Sequence, residues 1–379
     1  MWAVDALRGV AVIMVMLTHL PYARGTDAAT GELIAATPAW FNTLVSPGHF
    51  GVHMFLVISG FCIHLQWARV GRLDATVAFF PFWRKRLTRL YPPYFVALVG
   101  SLGLLWAYGV MQGTGGRLDA ASFGYTSGSL LLMDIVLLLL LSQNLTGASQ
   151  RVGNGPFWSL ALEEQLYLMY FPLLWMRRRW GWGAVLATST MVCLAWRAVP
   201  VWLWPEAPKF WPVVGPALWS LWVLGALAVE GRMGLVTLPS WTRNWALGLG
   251  LTGAVLVAEA SHVRDANAIL MWLDGPLFGL GCFVLTNALC SYGQERDASL
   301  VFRVLAWVGV RSYALYLVHM PAYGVVKGLL GTDTPVAAML FARVAAAVVA
   351  SLVFYRLFEL PAVKWASGIK SMKIPKRAA

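Results

Sequence analysis

Eleven apolar runs recur along the chain, near residues 4–20, 50–68, 91–110, 129–145, 158–176, 183–200, 211–230, 245–262, 269–289, 311–329 and 337–358. A helix that crosses the hydrocarbon layer needs about 20 predominantly apolar residues, with about 17 a practical minimum. Of the 379 residues, 59% are hydrophobic and only 12% are charged, against about 25% charged in an ordinary soluble domain. A soluble core cannot bury that much apolar surface, whereas lipid can hold it. The even spacing of the runs points to one membrane domain over 1–365, followed by a basic cytoplasmic tail over 366–379. The first run already carries Asp5 and Arg8, so it reads as a retained helix rather than a cleaved signal peptide.

Charge sets the orientation. The net charge of +12 comes from basic residues beside the apolar runs: Arg84, Lys85, Arg86 and Arg89, then Arg177 to Arg179, then Lys370, Lys373, Lys376 and Arg377. That is the positive-inside pattern, and it calls for a bilayer rather than a nucleic acid. Working inward from both ends, the orientations agree only if 129–145 turns back or lies in the interface. Asp134 interrupts that run. The expectation is an all-α polytopic bundle of about ten transmembrane helices plus one re-entrant or interfacial segment. It lies in the inner (cytoplasmic) membrane with both termini cytoplasmic. The 20 tryptophans suit interfacial belts. The longest outer loops, 21–48 and 111–128, spell out no sugar site. Cys62, Cys193, Cys282 and Cys290 show no CxxC spacing, so neither a zinc site nor a disulfide framework is expected.

Ionisable residues are costly inside lipid, so each is a functional hypothesis. Arg8 and His19 lie eleven residues apart on one helical face, with Asp5 on the same stripe. The plain alternative is a boundary Asp–Arg pair and a structural histidine. Histidine is the side chain best placed to take a hydroxyl proton near neutral pH. In Trp158-Ser159-Leu160-Ala161-Leu162-Glu163-Glu164-Gln165-Leu166-Tyr167 two carboxylates enter an apolar helix about 100° apart, so one can face the bundle and one the boundary. A helix dipole explains one glutamate but Glu-Glu-Gln poorly. Arg86 and Arg89 share a face just before Pro92 and Pro93. The prolines make a short turn there as plausible as a helix, and the pair reads either as a topology anchor or as a phosphate clamp. His49 and His53 have metal-compatible spacing but no supporting carboxylate, so no metal is expected. Asp274, Glu259 and Glu230 read as boundary residues, and Glu359-Leu360-Pro361 as the end of the last helix. His319, inside a span, is harder to set aside.

These segments, in order over nearly the whole chain, resemble the acyltransferase-3 family of integral membrane O-acyltransferases. Asp5-Ala6-Leu7-Arg8-Gly9 with His19 is similar to the family's arginine, ten residues, histidine signature. Gly51 to Phe61 resembles its Gly-Val-Asp-x-Phe-Phe element, with His53 where aspartate is commoner. Arg86 to Arg89, Trp158 to Tyr167, Ser312 to Pro321 and Phe358 to Pro361 resemble its remaining elements.

The resemblance implies transfer of an acyl group, often acetyl, from cytosolic acyl-CoA to a hydroxyl of a glycan or related acceptor. Acyl-CoA is then a co-substrate and no permanently bound cofactor is expected. His19 becomes the base, with Glu163 or Asp5 orienting it or holding sugar hydroxyls. Arg86 and Arg89 grip CoA phosphates, and Arg8, Ser159, Tyr167 and His319 complete the substrate-binding set. Arg8 to His19 spans about 16 Å of helix, within reach of a pantetheine arm, so direct transfer and a covalent relay are both open. The competing class is a transporter or exporter of a lipid-linked sugar or small molecule, which would also need buried charges.

Overall fold

The computed structural model describes residues 1–26, 33–71, 75–111, 132–145, 155–206, 211–263, 266–295, 297–331 and 333–373. The fold is all-α. Its helices are α1 (Trp2–Thr18), α2 (Ala39–Val45), α3 (Phe50–Val70), α4 (Phe79–Met111), α5 (Leu132–Leu139), α6 (Trp158–Ala198), α7 (Gly215–Arg232), α8 (Trp245–Ala260), α9 (Ala268–Glu295), α10 (Leu300–Val310), α11 (Ser312–Leu330), α12 (Val336–Phe354) and α13 (Leu360–Ser367). Two short antiparallel pairs accompany them: β1 (Ala23–Thr26) with β2 (Leu33–Ala35), and β3 (Thr76–Val77) with β4 (Met372–Lys373). The first half of the expected basic tail is thus tied back onto the body. α13 also runs across the 365/366 boundary, with Ala366 buried.

Glycines let the central helices touch backbone to backbone. A Cβ on Gly60 would lie 1.9 Å from the Trp222 carbonyl oxygen, and one on Gly225 would lie 1.8 Å from that of Val57. Such small-residue contacts draw membrane helices together where no hydrophobic force acts between them. They lock α3 to α7. The same device joins α1 to α10, where Gly309 faces the Asp5 carbonyl oxygen and Gly9 that of Leu305.

Five helical segments are long and apolar enough to cross a membrane: Ala39–Val70, Phe79–Ala107, Gly155–Leu203, Ala268–Gly293 and Val336–Ser367. The α10–α11 pair, bent by 72°, makes a sixth if counted as one broken span. The segment expected to turn back is α5, of eight residues, about 12 Å long and too short to cross. Residues 112–131 and 146–154, which hold most of its flanking loops, lie outside the described residues.

Three expectations need correction. α4 runs unbroken through Pro92 and Pro93. Proline's fixed φ is helical, so the cost is two missing N–H groups, and Tyr91 and Tyr94 anchor that stretch by donating to the Leu139 and Leu138 carbonyls of α5. Glu359 does not simply end a helix. It is buried, lies in a π turn leading into α13, and accepts the Ala314 N–H at 2.9 Å, filling a vacant donor in the first turn of α11. Glu230 and Asp274 are buried rather than at a boundary. Asp274 pairs with Arg197, whose Nε also donates to the Trp272 carbonyl.

Candidate active site

A cavity of about 130 Å³ opens between α1, α3, α4, α6 and α11. It gathers Arg8, Arg86, Arg89, Ser159, Glu163 and Tyr167 from three helices and adds Ser59 of α3 and Tyr316 of α11. Three arginines and one glutamate thus share its lining. Arg86 is 5% exposed, and its Nε is buried with no hydrogen-bond partner among the described residues. The guanidinium sits 5.4 Å from the Phe82 ring centre and 5.9 Å from that of Tyr167. Aromatic faces stabilise a cation but cannot replace an oxygen ligand.

The adjacent glutamates divide as their helical spacing requires, with Glu163 in the cavity wall and Glu164 outside it. Glu163 Oε1 accepts from the Ser59 hydroxyl at 2.7 Å and from the Tyr167 hydroxyl, one turn on, at 2.6 Å. Trp222 Nε1 donates to Ser59 Oγ at 3.3 Å. This network fixes the carboxylate and leaves Oε2 with no partner among the described residues. Asp5 is not in the wall. It lies 3.6 Å from Arg8 and 4.0 Å from the terminal amine, so Arg8 stands as its link to the cavity lining.

His19 and His319 also come together, outside that wall. Their ring centres are 5.2 Å apart, and His319 Nε2 lies 3.4 Å from His19 Nδ1. His19 Nδ1 is 2.7 Å from the Val15 carbonyl, and His319 Nδ1 is 2.8 Å from that of Tyr316. A carbonyl only accepts, so each neutral ring carries its proton on Nδ1. The lone pair of His319 then faces the His19 N–H. His19 Nε2 keeps a lone pair with no partner among the described residues, which makes His19 the better base of the two.

Tyr316 links the halves. Its hydroxyl lines the cavity and bonds Ser159 Oγ at 2.5 Å and the Pro156 carbonyl at 2.6 Å, while its ring lies 5.9 Å from that of His319. The sequence reading passed over Arg343 of α12, which donates to the Leu20 carbonyl at 2.5 Å beside His19. A lone arginine in an apolar span was signal enough to find it.

The chain matches the acyltransferase domain family over residues 1–356. It is 24% identical over 385 residues to the peptidoglycan O-acetyltransferase OatA of Listeria monocytogenes, covering 95% of this chain and 55% of that protein. It is 22% identical over 334 residues to a candidate peptidoglycan O-acetyltransferase, YrhL, of Bacillus subtilis, covering 84% and 48%. It is 27% identical over 368 residues to a candidate membrane-bound transacylase, BcsY, of Komagataeibacter xylinus, covering 94% and 81%. The chain therefore spans about half the length of the first two relatives. No solved structure matches it. With the motifs from Asp5 to Pro321, the arginine-lined cavity and the paired histidines all falling inside the matched region, the chain belongs to the acyltransferase-3 family of membrane acyltransferases.

Proposed function

We propose that the protein transfers an acyl group, acetyl in the simplest case, from acyl-CoA to a hydroxyl of a glycan. The observation that carries this reading is Arg86, a buried arginine whose Nε has no hydrogen-bond partner among the described residues, in a cavity that holds two further arginines. Phosphate oxygens of CoA supply the missing ligands, since arginine forks onto them. The glycan acceptor is supported by the names of the two relatives that act, or are thought to act, on peptidoglycan.

In the proposed reaction the acceptor hydroxyl oxygen attacks the thioester carbonyl carbon while His19 Nε2 takes its proton. The carbonyl oxygen passes through an oxyanion, the carbon–sulfur bond breaks, and the leaving thiolate of CoA recovers the proton from His19. Ester and free thiol are the products, and no oxidant or metal is needed. Glu163, held by Ser59 and Tyr167, offers its second oxygen to a sugar hydroxyl or a pantetheine amide. A direct transfer and a relay through an acyl-enzyme both fit this arrangement.

Ten crossings of the cytoplasmic membrane, with both termini cytoplasmic, complete the reading. α6 supports the count: Gly181, at φ 80° and ψ −174°, divides it into two helices, each about one span in length. α1, α7 and α8, of 17, 18 and 16 residues, fall at the short edge of spanning length. Reporters fused at residues 128 and 147 should both read the outer side. A cytoplasmic signal at 147 alone would break the count.

The enzymatic test uses purified protein, acetyl-CoA and soluble glycan fragments. Acceptor-dependent release of free CoA with formation of an ester is the expected result. Transport of the glycan without thioester consumption would favour the exporter reading.

A further inference from the structure

Arg343 lies two turns into α12 and is 6% exposed. Its Nη1 donates to the Leu20 carbonyl, and its Nε is buried with no hydrogen-bond partner among the described residues. Its guanidinium stacks 4.7 Å from the Tyr323 ring centre and 5.4 Å from that of Tyr22. Tyr323 in turn meets the His319 ring edge-on at 5.8 Å. Arg343 thus stands one residue from His19 on one side and one ring from His319 on the other. Among the described residues it has no carboxylate partner, whereas the buried Arg197 is paired with Asp274 and Arg177 with Glu230. A buried cation without an anion is costly in lipid. The cavity arginines form a separate group, with Tyr316, bonded to Ser159 and Pro156, lying between the cavity lining and His319.

We infer that Arg343 is the anion-recognising group of the acceptor half, and that the acceptor is an acidic sugar whose carboxylate it binds while the reacting hydroxyl meets His19 Nε2. This rests on the acyltransferase reading and narrows its acceptor to a class. The Tyr22 and Tyr323 rings hold the guanidinium in place, so a sugar that brings its own carboxylate restores the missing charge partner at the moment of binding.

The test compares N-acetylmuramic acid, which carries a carboxylate, with N-acetylglucosamine, which lacks it. Binding is read by thermal shift on the detergent-purified chain, and transfer by release of CoA from acetyl-CoA. Wild type should bind and acylate the acidic sugar better, on the order of 10- to 100-fold. Arg343→Gln should lose that preference by failing on the acidic sugar alone, with the KM for acetyl-CoA unchanged. Arg343→Lys should recover part of the preference. Equal losses on both sugars, or none on either, would overturn the inference by making Arg343 a structural or transition-state group. So would an acidic sugar that shifts wild type and Arg343→Gln alike. A wild type that releases no CoA overturns the acyltransferase reading instead, and the binding comparison still decides Arg343.

Discussion

Two buried clusters of ionisable side chains are stacked along the same pair of helices, and they are finished differently. Toward the Arg177 end of the first half of α6, Glu230 accepts from Arg177 Nη2 at 2.7 Å, Trp182 Nε1 at 2.8 Å and His64 Nε2 at 2.9 Å, while His64 Nδ1 meets the Tyr170 hydroxyl at 3.1 Å. Glu230 and His64 are both wholly buried. The cluster ties α3, α7 and both sides of the Gly181 break together. One to two turns away, the cavity holds Arg86 and Arg89 with no ion pair among the described residues, and a glutamate with one oxygen free. Both clusters carry the cost of charge in a membrane. The first returns it as architecture; the second keeps donors available for a ligand. Saturation of partners, rather than burial or charge, separates scaffold from site.

The sharpest way to break that distinction is at the base. His19→Gln keeps a hydrogen-bonding side chain but cannot accept the hydroxyl proton, which is expected to remove about 10²–10⁴-fold in transfer rate. Abundance and acyl-CoA binding should hold. Turnover and folded fraction measured on one preparation decide it, and near-normal turnover per folded molecule would pass the role to His319.

Next comes the open cluster. Arg86→Ala with Arg89→Ala removes about two to four charge-assisted hydrogen bonds to phosphate, worth about 1.5–3 kcal/mol each. The apparent affinity for acyl-CoA should fall by at least about 100-fold, with insertion intact. An unchanged affinity would make these arginines anchors and erase the contrast with Glu230.

The closed cluster should answer in the opposite currency. Glu230→Gln leaves Arg177 facing a neutral amide, and breaking a buried pair in this way costs about 3–5 kcal/mol of stability. The unfolding temperature in detergent should drop while the KM for acyl-CoA per folded molecule stays within about twofold. A selective loss of acyl-CoA affinity would place this cluster in the site.

How much of this could be read beforehand follows the same division. Residues that must stay available betray themselves as motifs, and Arg8, Arg86, Arg89, Ser159, Glu163 and Tyr167 were singled out one by one and meet in one cavity. The split of Glu163 from Glu164 needed only helical geometry. Residues saturated in the scaffold were misjudged, because sequence shows a charge but not its partners. Glu230 was taken for a boundary residue, and His64, 166 positions away from it, drew no notice. α10 was missed, because its eleven residues fall short of a span and the run near 311–329 covers α11 alone. The paired prolines left a short turn and a helix both open, and the structure has a continuous helix that the neighbouring tyrosines anchor to α5.

The smallest expected effect lies between the two clusters in kind. Asp5 was grouped with the catalytic residues, and its charge is indeed spent on Arg8, one turn away at 3.6 Å. But that pair is partly open to solvent, with the two side chains 28% and 19% exposed. An exposed pair at this helical spacing is worth about 0.3–0.5 kcal/mol. Arg8 also lines the cavity without Asp5 reaching it. Asp5→Asn should therefore change the apparent affinity for acyl-CoA by about twofold, with the limiting rate preserved and raised salt narrowing the gap further. The measurement is kcat and KM for acetyl-CoA at low and high ionic strength. A positioning residue moves KM and leaves kcat in place. A fall in kcat of about 100-fold or more, insensitive to salt, would mean that Asp5 meets the reacting groups in a state that the ligand creates, and would move it from the scaffold side of the comparison to the chemical one.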